Sequence, residues 1–257
     1  KKMHCLMITN GFLLGDMAED IVDSGLDELN ISLDGGAKLH DEIRGMAGLF
    51  DRIMNGLQKI NYFKTRKRKK RPYINMQCTI TPANYLCLEQ LLDAADKAGA
   101  ASLTFHNLIF LSREILDRQK KYDALLDSSS AGWEGFVFEP GIEPAVLYEK
   151  MKKILSGKYR FRTDFYPNFS SRELKEYYDD TGYAPRAARC VSPWMCAYIF
   201  PDGGLRPCLN FEYSYGNIKE NRFAELWNGK KAVRFRSLLS RDKSFPVCAR
   251  CTELYRY

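Results

Sequence analysis

The chain has 257 residues, 45% hydrophobic and 28% charged; against about 100–200 residues per domain, that allows one large domain or two modest ones with real cores. This composition excludes a disordered chain, and no apolar run approaches the ~18–20 residues of a membrane span. The net charge of +7 permits a nucleic-acid partner without implying one. Lys1-Lys2-Met3-His4-Cys5 leads only into a short apolar stretch containing Thr9 and Asn10. No signal-peptide core is read there, and a reducing cytoplasm is expected. Eight cysteines in such a compartment are thiols rather than a disulfide framework, and some can hold metal.

The first hundred residues alternate short apolar strands with amphipathic helical stretches, the pattern of βα units. His4 to Thr9 is a strand ending at the turn signal Asn10-Gly11, and Asp16 to Ser24 is a helix closed by Gly25. Glu28 to Asp34 is a strand ending at Gly35-Gly36; Leu49 to Phe63 is a helix with Leu49, Ile53, Leu57 and Ile60 on one face. A basic run follows, Lys64-Thr65-Arg66-Lys67-Arg68-Lys69-Lys70-Arg71. Tyr73 to Thr81 is then a strand, Tyr85 to Ala98 a helix ending near Gly99, and Ser102 to His106 a strand.

Successive strand residues point to opposite faces. Leu29, Ile31 and Leu33 oppose Asn30, Ser32 and Asp34; Ile74, Met76, Cys78 and Ile80 oppose Asn75, Gln77 and Thr79; Leu103 and Phe105 oppose Thr104 and His106. A doubly wound sheet, with helices on both faces, gives near-continuous apolar strands. A repeatedly polar second face therefore points to a barrel or half-barrel with a wet, ligand-holding lumen. Asn10, Asn75, Gln77 and His106 line that lumen.

The pattern weakens from Leu108 to Ala188. There Ser128 to Gly132 reads as a loop, Pro144 to Leu155 as a helix and Tyr159 to Tyr166 as a strand. From Cys190 the chain is a Cys-rich tail with turns at Pro201-Asp202-Gly203-Gly204 and Tyr215-Gly216-Asn217 and one helix, Phe223 to Leu239. Three segments are expected: 1–110 as the partial barrel, 111–188 as a connection, and 189–257 as the Cys-rich domain.

In the tail, Cys190, Cys208, Cys248 and Cys251 have the spacing C-x17-C-x39-C-x2-C. Two strands joined at Pro201-Asp202-Gly203-Gly204 bring Cys190 and Cys208 to a common site, closed by the C-terminal pair. Thiolates are soft ligands suited to iron–sulfur clusters or zinc. Cys196, within Trp194-Met195-Cys196-Ala197-Tyr198, reads as a buried strand residue or a substitute ligand, and Cys5, Cys78 and Cys87 as core or surface thiols.

These residues resemble the SPASM/twitch auxiliary-cluster domain of radical S-adenosylmethionine (SAM) enzymes. The resemblance rests on Cys190-Val191-Ser192-Pro193-Trp194, Pro201 to Cys208, Gly216-Asn217-Ile218, Glu225-Leu226-Trp227-Asn228-Gly229 and Cys248-x-x-Cys251. Thr9-Asn10-Gly11, Ile31-Ser32-Leu33-Asp34-Gly35 and His40-Asp41-x-x-Arg44-Gly45 resemble strands three to five of the radical SAM partial barrel. The implied fold is α/β: a partial (β/α) barrel lacking its first strands, followed by a small Cys-rich α+β domain. The family's C-x3-C-x2-C cluster motif and its Gly-Gly-Glu motif do not occur here. The chain thus reads as N-terminally incomplete or as a degenerate paralogue that kept only the auxiliary cluster, and its catalytic residues are unknown.

By resemblance, Ser32 and Asp34 face the ribose or amino-acid part of SAM, and Arg44 pairs with its carboxylate or makes a surface contact. Cys190, Cys208, Cys248 and Cys251 hold one auxiliary [4Fe-4S] cluster, as in the one-cluster twitch form, shielded by Trp194, Phe200 and Trp227; a second cluster and SAM chemistry belong to a full-length chain. The implied activity is that of a radical SAM oxidoreductase or peptide- or small-molecule-modifying enzyme supplied by a ferredoxin- or flavodoxin-like donor. Two alternatives stand beside it. The four thiols hold structural zinc, or the basic run contacts RNA; as that run has no interleaved aromatic residue, a solvated loop is the expectation for it and no nucleic-acid or membrane partner is expected.

Overall fold

A computed structural model of the protein describes residues 3–185, 189–209 and 211–256. In chain order its elements are β1 (Leu6–Thr9), α1 (Ala18–Asp23), β2 (Glu28–Ser32), α2 (Ala37–Arg44), α3 (Leu49–Arg66), β3 (Tyr73–Thr79), α4 (Gln90–Ala98), β4 (Ser102–His106), α5 (Arg113–Leu126), α6 (Pro144–Leu155), β5 (Arg162–Tyr166), α7 (Ser171–Asp179), α8 (Ser192–Met195), β6 (Tyr198–Ile199), β7 (Gly204–Arg206), β8 (Gly216–Asn217), α9 (Phe223–Trp227) and α10 (Lys230–Asp242). Short 3₁₀ helices occupy Ala131–Phe136, Pro246–Cys248 and Thr252–Tyr255. Among the described residues no helix is long and apolar enough to cross a membrane.

The chain divides into two compact units, Lys1–Leu108 with Gly141–Leu174, and Ile109–Pro140 with Lys175–Tyr257. The segment 111–188 expected as a connection is therefore shared out. Its β5 pairs in parallel with β4 and extends the first sheet, while its Leu111, Ile115 and Trp133 bury in the core of the second unit.

In the first unit the five strands lie parallel in the order β1-β2-β3-β4-β5. Right-handed crossovers that always step in one direction put every crossover helix on the same face. That face is apolar: Leu29, Ile31, Ile74, Met76, Cys78, Leu103, Phe105 and Phe165 are at most 2% exposed. Helices α3 and α4 bury Ile53, Leu57, Ile60, Leu91 and Ala95 as its cover. The other face carries polar rows set by the register. Asn30, Asn75 and Ser102 form one row; Ser32, Gln77, Thr104 and Asp164 the next; Thr79, His106 and Tyr166 the last, at the C-terminal strand ends. This is the division into an apolar and a polar face that the strand alternation predicts, on a five-stranded parallel α/β sheet.

The differences from the sequence reading are local. Helix α4 begins at Gln90 rather than Tyr85 because Asn84 organises the preceding turns. Its Oδ1 accepts from Thr81 N at 2.7 Å and its Nδ2 donates to Asp34 O and Thr79 O at 2.9 Å, bonds that compete with helical geometry. The single helix expected from Phe223 to Leu239 is two, α9 and α10. They break at Gly229, where a Cβ would sit 2.8 Å from Glu225 O. Helices α2, α5 and α7 were not anticipated.

The second unit joins the three-stranded antiparallel sheet β6-β7-β8 to an aromatic core. There Phe245 meets Tyr122, Phe211 and Phe235 with ring centroids 4.9, 5.6 and 5.3 Å apart. Such close ring pairs stabilise a small core beyond their buried area.

Candidate functional site

The second unit gathers the four tail cysteines around one cavity of about 150 Å³, lined by Cys190, Cys208, Cys248 and Cys251 together with Trp133, Tyr198, Phe211, Phe235, Phe245 and Glu253. The four thiols arrive on three separate stretches of backbone. The β6–β7 hairpin forms at Pro201-Asp202-Gly203-Gly204 as expected, with Phe200 N donating to Gly204 O at 3.0 Å, and delivers Cys208 just beyond β7. Cys190 does not come from a strand. It precedes α8 and is tied down by its N–H to Lys243 O at 3.0 Å. The C-terminal pair sits on overlapping turns, Cys248 N to Phe245 O at 2.9 Å and Cys251 N to Cys248 O at 3.0 Å.

None of the eight cysteines forms a disulfide. Burial pushes the Cys248 thiol well up from its ordinary range, and the neighbouring Cys251, Cys190 and Cys208 push the same way. Burial likewise raises Cys190 and pushes Cys251 up to about 11. Burial and mutual proximity thus disfavour the thiolates of Cys190, Cys248 and Cys251 until a cation compensates them. The cavity offers roughly ten times the ~15 Å³ that one water centre needs. Among the described residues no three His, Cys, Asp or Glu side chains are close enough to hold a single metal ion.

The aromatic lining differs from the one expected. Trp194 is 38% exposed, and Trp227 stacks on Phe223 at 5.6 Å and lies under Arg236; neither lines the cavity, nor does Phe200, which lies under Arg206. Trp133 takes their place from the 3₁₀ helix Ala131–Phe136, at the end of a stretch whose Ser and Gly content read as a loop. Nothing in a lone tryptophan far from the cysteines signals this. Cys196 is half-buried at the end of α8 rather than within a strand.

In the first unit the residues expected to face SAM gather at the C-terminal strand ends, in three different states. Ser32 and Gln77 are half-buried register partners. Asp34 and Arg44 are bonded to each other: Arg44 Nε and Nη2 donate to Asp34 Oδ2 and Oδ1 at 2.5 and 3.2 Å. Burial alone raises the Asp34 carboxyl, but hydrogen bonding with His40 and Arg44 outweighs it and holds the group below its ordinary value. Asn10 is exposed, and its Oδ1 accepts from Phe12 N at 3.1 Å, stabilising the turn at Gly11 with φ 82°. His106 is half-buried with no partner for Nε2 among the described residues, and burial lowers its pKa.

The basic run is not a free loop. It begins inside α3, and Lys67 meets Glu19 and Asp23 at 2.7 and 2.5 Å, Lys69 meets Asp23 at 2.8 Å, and Arg71 pairs with buried Asp27. Three of its seven positive charges are thereby matched by carboxylates of the same unit, which weakens any phosphate-binding role.

Residues 190–252 match the family model of SPASM, an iron-sulfur cluster-binding domain. The chain is 23% identical over 267 residues to an AdoMet-dependent heme synthase of Oleidesulfovibrio alaskensis, covering 97% of this chain and 60% of that protein. To an Fe-coproporphyrin III synthase of Methanosarcina barkeri it is also 23% identical, covering 98% and 62%. It thus spans about three fifths of the length of these relatives. In fold it is similar to anSMEcpe with bound AdoMet and Kp18Cys peptide (TM-score 0.53, 15% identity, 99% of this chain and 68% of that one). It is also similar to SuiB of Streptococcus suis bound to the precursor peptide SuiA (TM-score 0.56, 16% identity, 97% and 53%). Residues 190–252 thus carry a SPASM-type iron-sulfur cluster-binding domain, and the chain as a whole, with the parallel sheet of its first unit, is similar in fold to these solved neighbours.

Proposed function

We propose that this chain belongs to a SAM-dependent radical enzyme that modifies a peptide or small molecule, and that Cys190, Cys208, Cys248 and Cys251 hold one auxiliary [4Fe-4S] cluster. The observation that carries this reading is the convergence of four thiols, one buried and three half-buried, on one cavity inside the residues that match an iron–sulfur domain. The match of residues 190–252 to an iron-sulfur cluster-binding domain favours a cluster over the zinc reading. When bound, such a cluster supplies one-electron transfer or an open iron for substrate. The chain's own part is to exclude water with Trp133, Phe211 and Phe245 and to present thiolates from three separate turns.

On the sheet of the first unit, Ser32 and Gln77 are the open polar groups for SAM, Asp34 with Arg44 is the frame that shapes the strand ends, and Asn10 shapes the neighbouring turn. The names of the curated relatives concern tetrapyrroles, and the solved neighbours hold peptides; both substrate classes are consistent with this reading. A ferredoxin- or flavodoxin-like electron donor and a cytoplasmic location complete it.

Iron, sulfide and zinc content of the anaerobically reconstituted chain tests the proposal against a Cys248→Ser/Cys251→Ser double variant. The expected result is roughly four irons and four sulfides per chain, lost in the variant. One zinc without sulfide overturns the cluster assignment and leaves a structural metal module. Single Cys190→Ser, Cys196→Ser and Cys208→Ser variants then assign the ligands.

A further inference from the structure

In sequence, between the last two cysteines, stands a buried cation that no carboxylate hydrogen-bonds among the described residues. Arg250, in the turn Cys248-Ala249-Arg250-Cys251, is 1% exposed. Its guanidinium carbon sits 4.0 Å from the centre of the Phe110 ring, 5.1 Å from Tyr183 and 5.4 Å from Tyr177. Nε donates to Tyr177 O at 2.9 Å and Nη2 to Asp180 O at 2.6 Å. Nη1 is buried without a hydrogen-bond partner among the described residues. The Asp180 carboxylate acts on Arg250 only through space, its Oδ1 accepting from Gly182 N at 2.8 Å, and Glu253 is paired with Arg256 at 3.1 Å.

An arginine in a protein stays charged, and burying that charge is costly unless an anion compensates it. Two carbonyls and three ring faces supply part of that compensation. They leave one nitrogen and a net positive charge in the same short turn as two thiols.

We propose that Arg250 is the built-in counter-cation of the auxiliary cluster, a positioning residue that acts through the cluster by favouring its reduced form. The inference rests on the cluster assignment made above. Four thiolates give a cluster a negative charge that deepens on reduction, so a fixed buried cation in the turn that carries two of its ligands stabilises the reduced state more than the oxidised one and raises the reduction potential. The aromatic cage has a matching purpose. By excluding water and salt it keeps the charge unscreened.

The test is a redox titration of the reconstituted chain followed by electron paramagnetic resonance, comparing wild type with Arg250→Gln and Arg250→Lys. Arg250→Gln is expected to keep its iron while the reduced-to-oxidised ratio at fixed potential falls about tenfold, which is about 59 mV for one electron. Arg250→Lys, which keeps the charge, is expected to stay within about threefold of wild type. A loaded Arg250→Gln with an unchanged ratio overturns the proposal, as does an Arg250→Lys that falls as far as Arg250→Gln.

Should Arg250→Gln not load, Tyr183→Glu sets a carboxylate beside the guanidinium while leaving arginine and its two carbonyl bonds in place. The same tenfold fall is expected. An unchanged ratio in loaded Tyr183→Glu, or failure of all three variants to load, makes Arg250 a requirement of the fold alone and removes the electrostatic role. A wild-type chain without iron and sulfide instead sinks the cluster assignment itself.

Discussion

In the first unit the polar groups of the sheet face bond to one another, whereas in the second, thiols and a guanidinium are buried among aromatic and aliphatic side chains. Asn75 Nδ2 donates to Asn30 Oδ1 at 3.0 Å, Ser102 Oγ donates to Asn75 Oδ1 at 2.9 Å, and Arg44 closes on Asp34. Such a face is held by its own hydrogen bonds, with Gln77 half-buried and His106 Nε2 buried without a partner among the described residues. The thiol cavity is built differently. Its geometry comes from ring packing and tight turns, and its chemistry is completed by whatever the sulfurs hold.

Paired truncations break this comparison most directly. Trp133→Ala and Phe105→Ala each remove a large side chain no more than 2% exposed, and each is expected to cost about 3–5 kcal/mol in denaturant unfolding. Their effects on metal content should differ. Trp133→Ala opens the cavity wall and is expected to lose iron during desalting, while Phe105→Ala, buried under the first sheet, retains it. Equal retention in both would mean that the cavity lining contributes nothing to holding the cluster.

The two units were also legible in the sequence for different reasons. Period-2 alternation in residues 28–34, 73–81 and 102–106 records directly which face is covered, so the one-sided sheet was readable from single residues such as Asn75 and Met76. The thiols were readable because a metal site demands a residue type that composition otherwise uses sparingly. Trp133 and Arg250 were not. Each acts through contacts far along the chain, Arg250 bonding Tyr177 some 73 residues away, and neither has a local pattern. The pairing of Asp34 with Arg44 was missed for another reason: each residue has an attractive role toward an anion or a ribose, and only geometry shows that the two meet.

That pair sharpens the comparison through pH. Asp34 has a folded pKa below its ordinary value, so its contribution is complete above the ordinary carboxylate range near 4 and is lost as pH falls through the lower folded value. Asp34→Asn is expected to cost about 1–3 kcal/mol at pH 7, discounted because the Arg44 side chain is 35% exposed. Denaturant unfolding at several pH values should give a wild-type minus variant difference that is flat from pH 5 to 8 and shrinks below about pH 4. A difference that persists at pH 2 would mean that the carboxylate charge is not what Arg44 requires.

The smallest effect belongs to the basic run, where charge is abundant but exposed. Lys67 and Lys69 share Asp23, and hydrogen bonds from Lys67 and then Lys69 hold its carboxyl below the ordinary range. Exposed pairs of this kind contribute little because solvent and salt screen them and long side chains lose freedom in forming them. Lys67→Met/Lys69→Met is therefore expected to shift the thermal midpoint by only a few degrees and to leave iron content unchanged. Binding of single-stranded RNA measured across a salt series should be equally weak in wild type and variant. A steep salt dependence present only in wild type would reinstate the run as a phosphate contact, since the acidic residues of α1 would then compete with RNA for the same lysines.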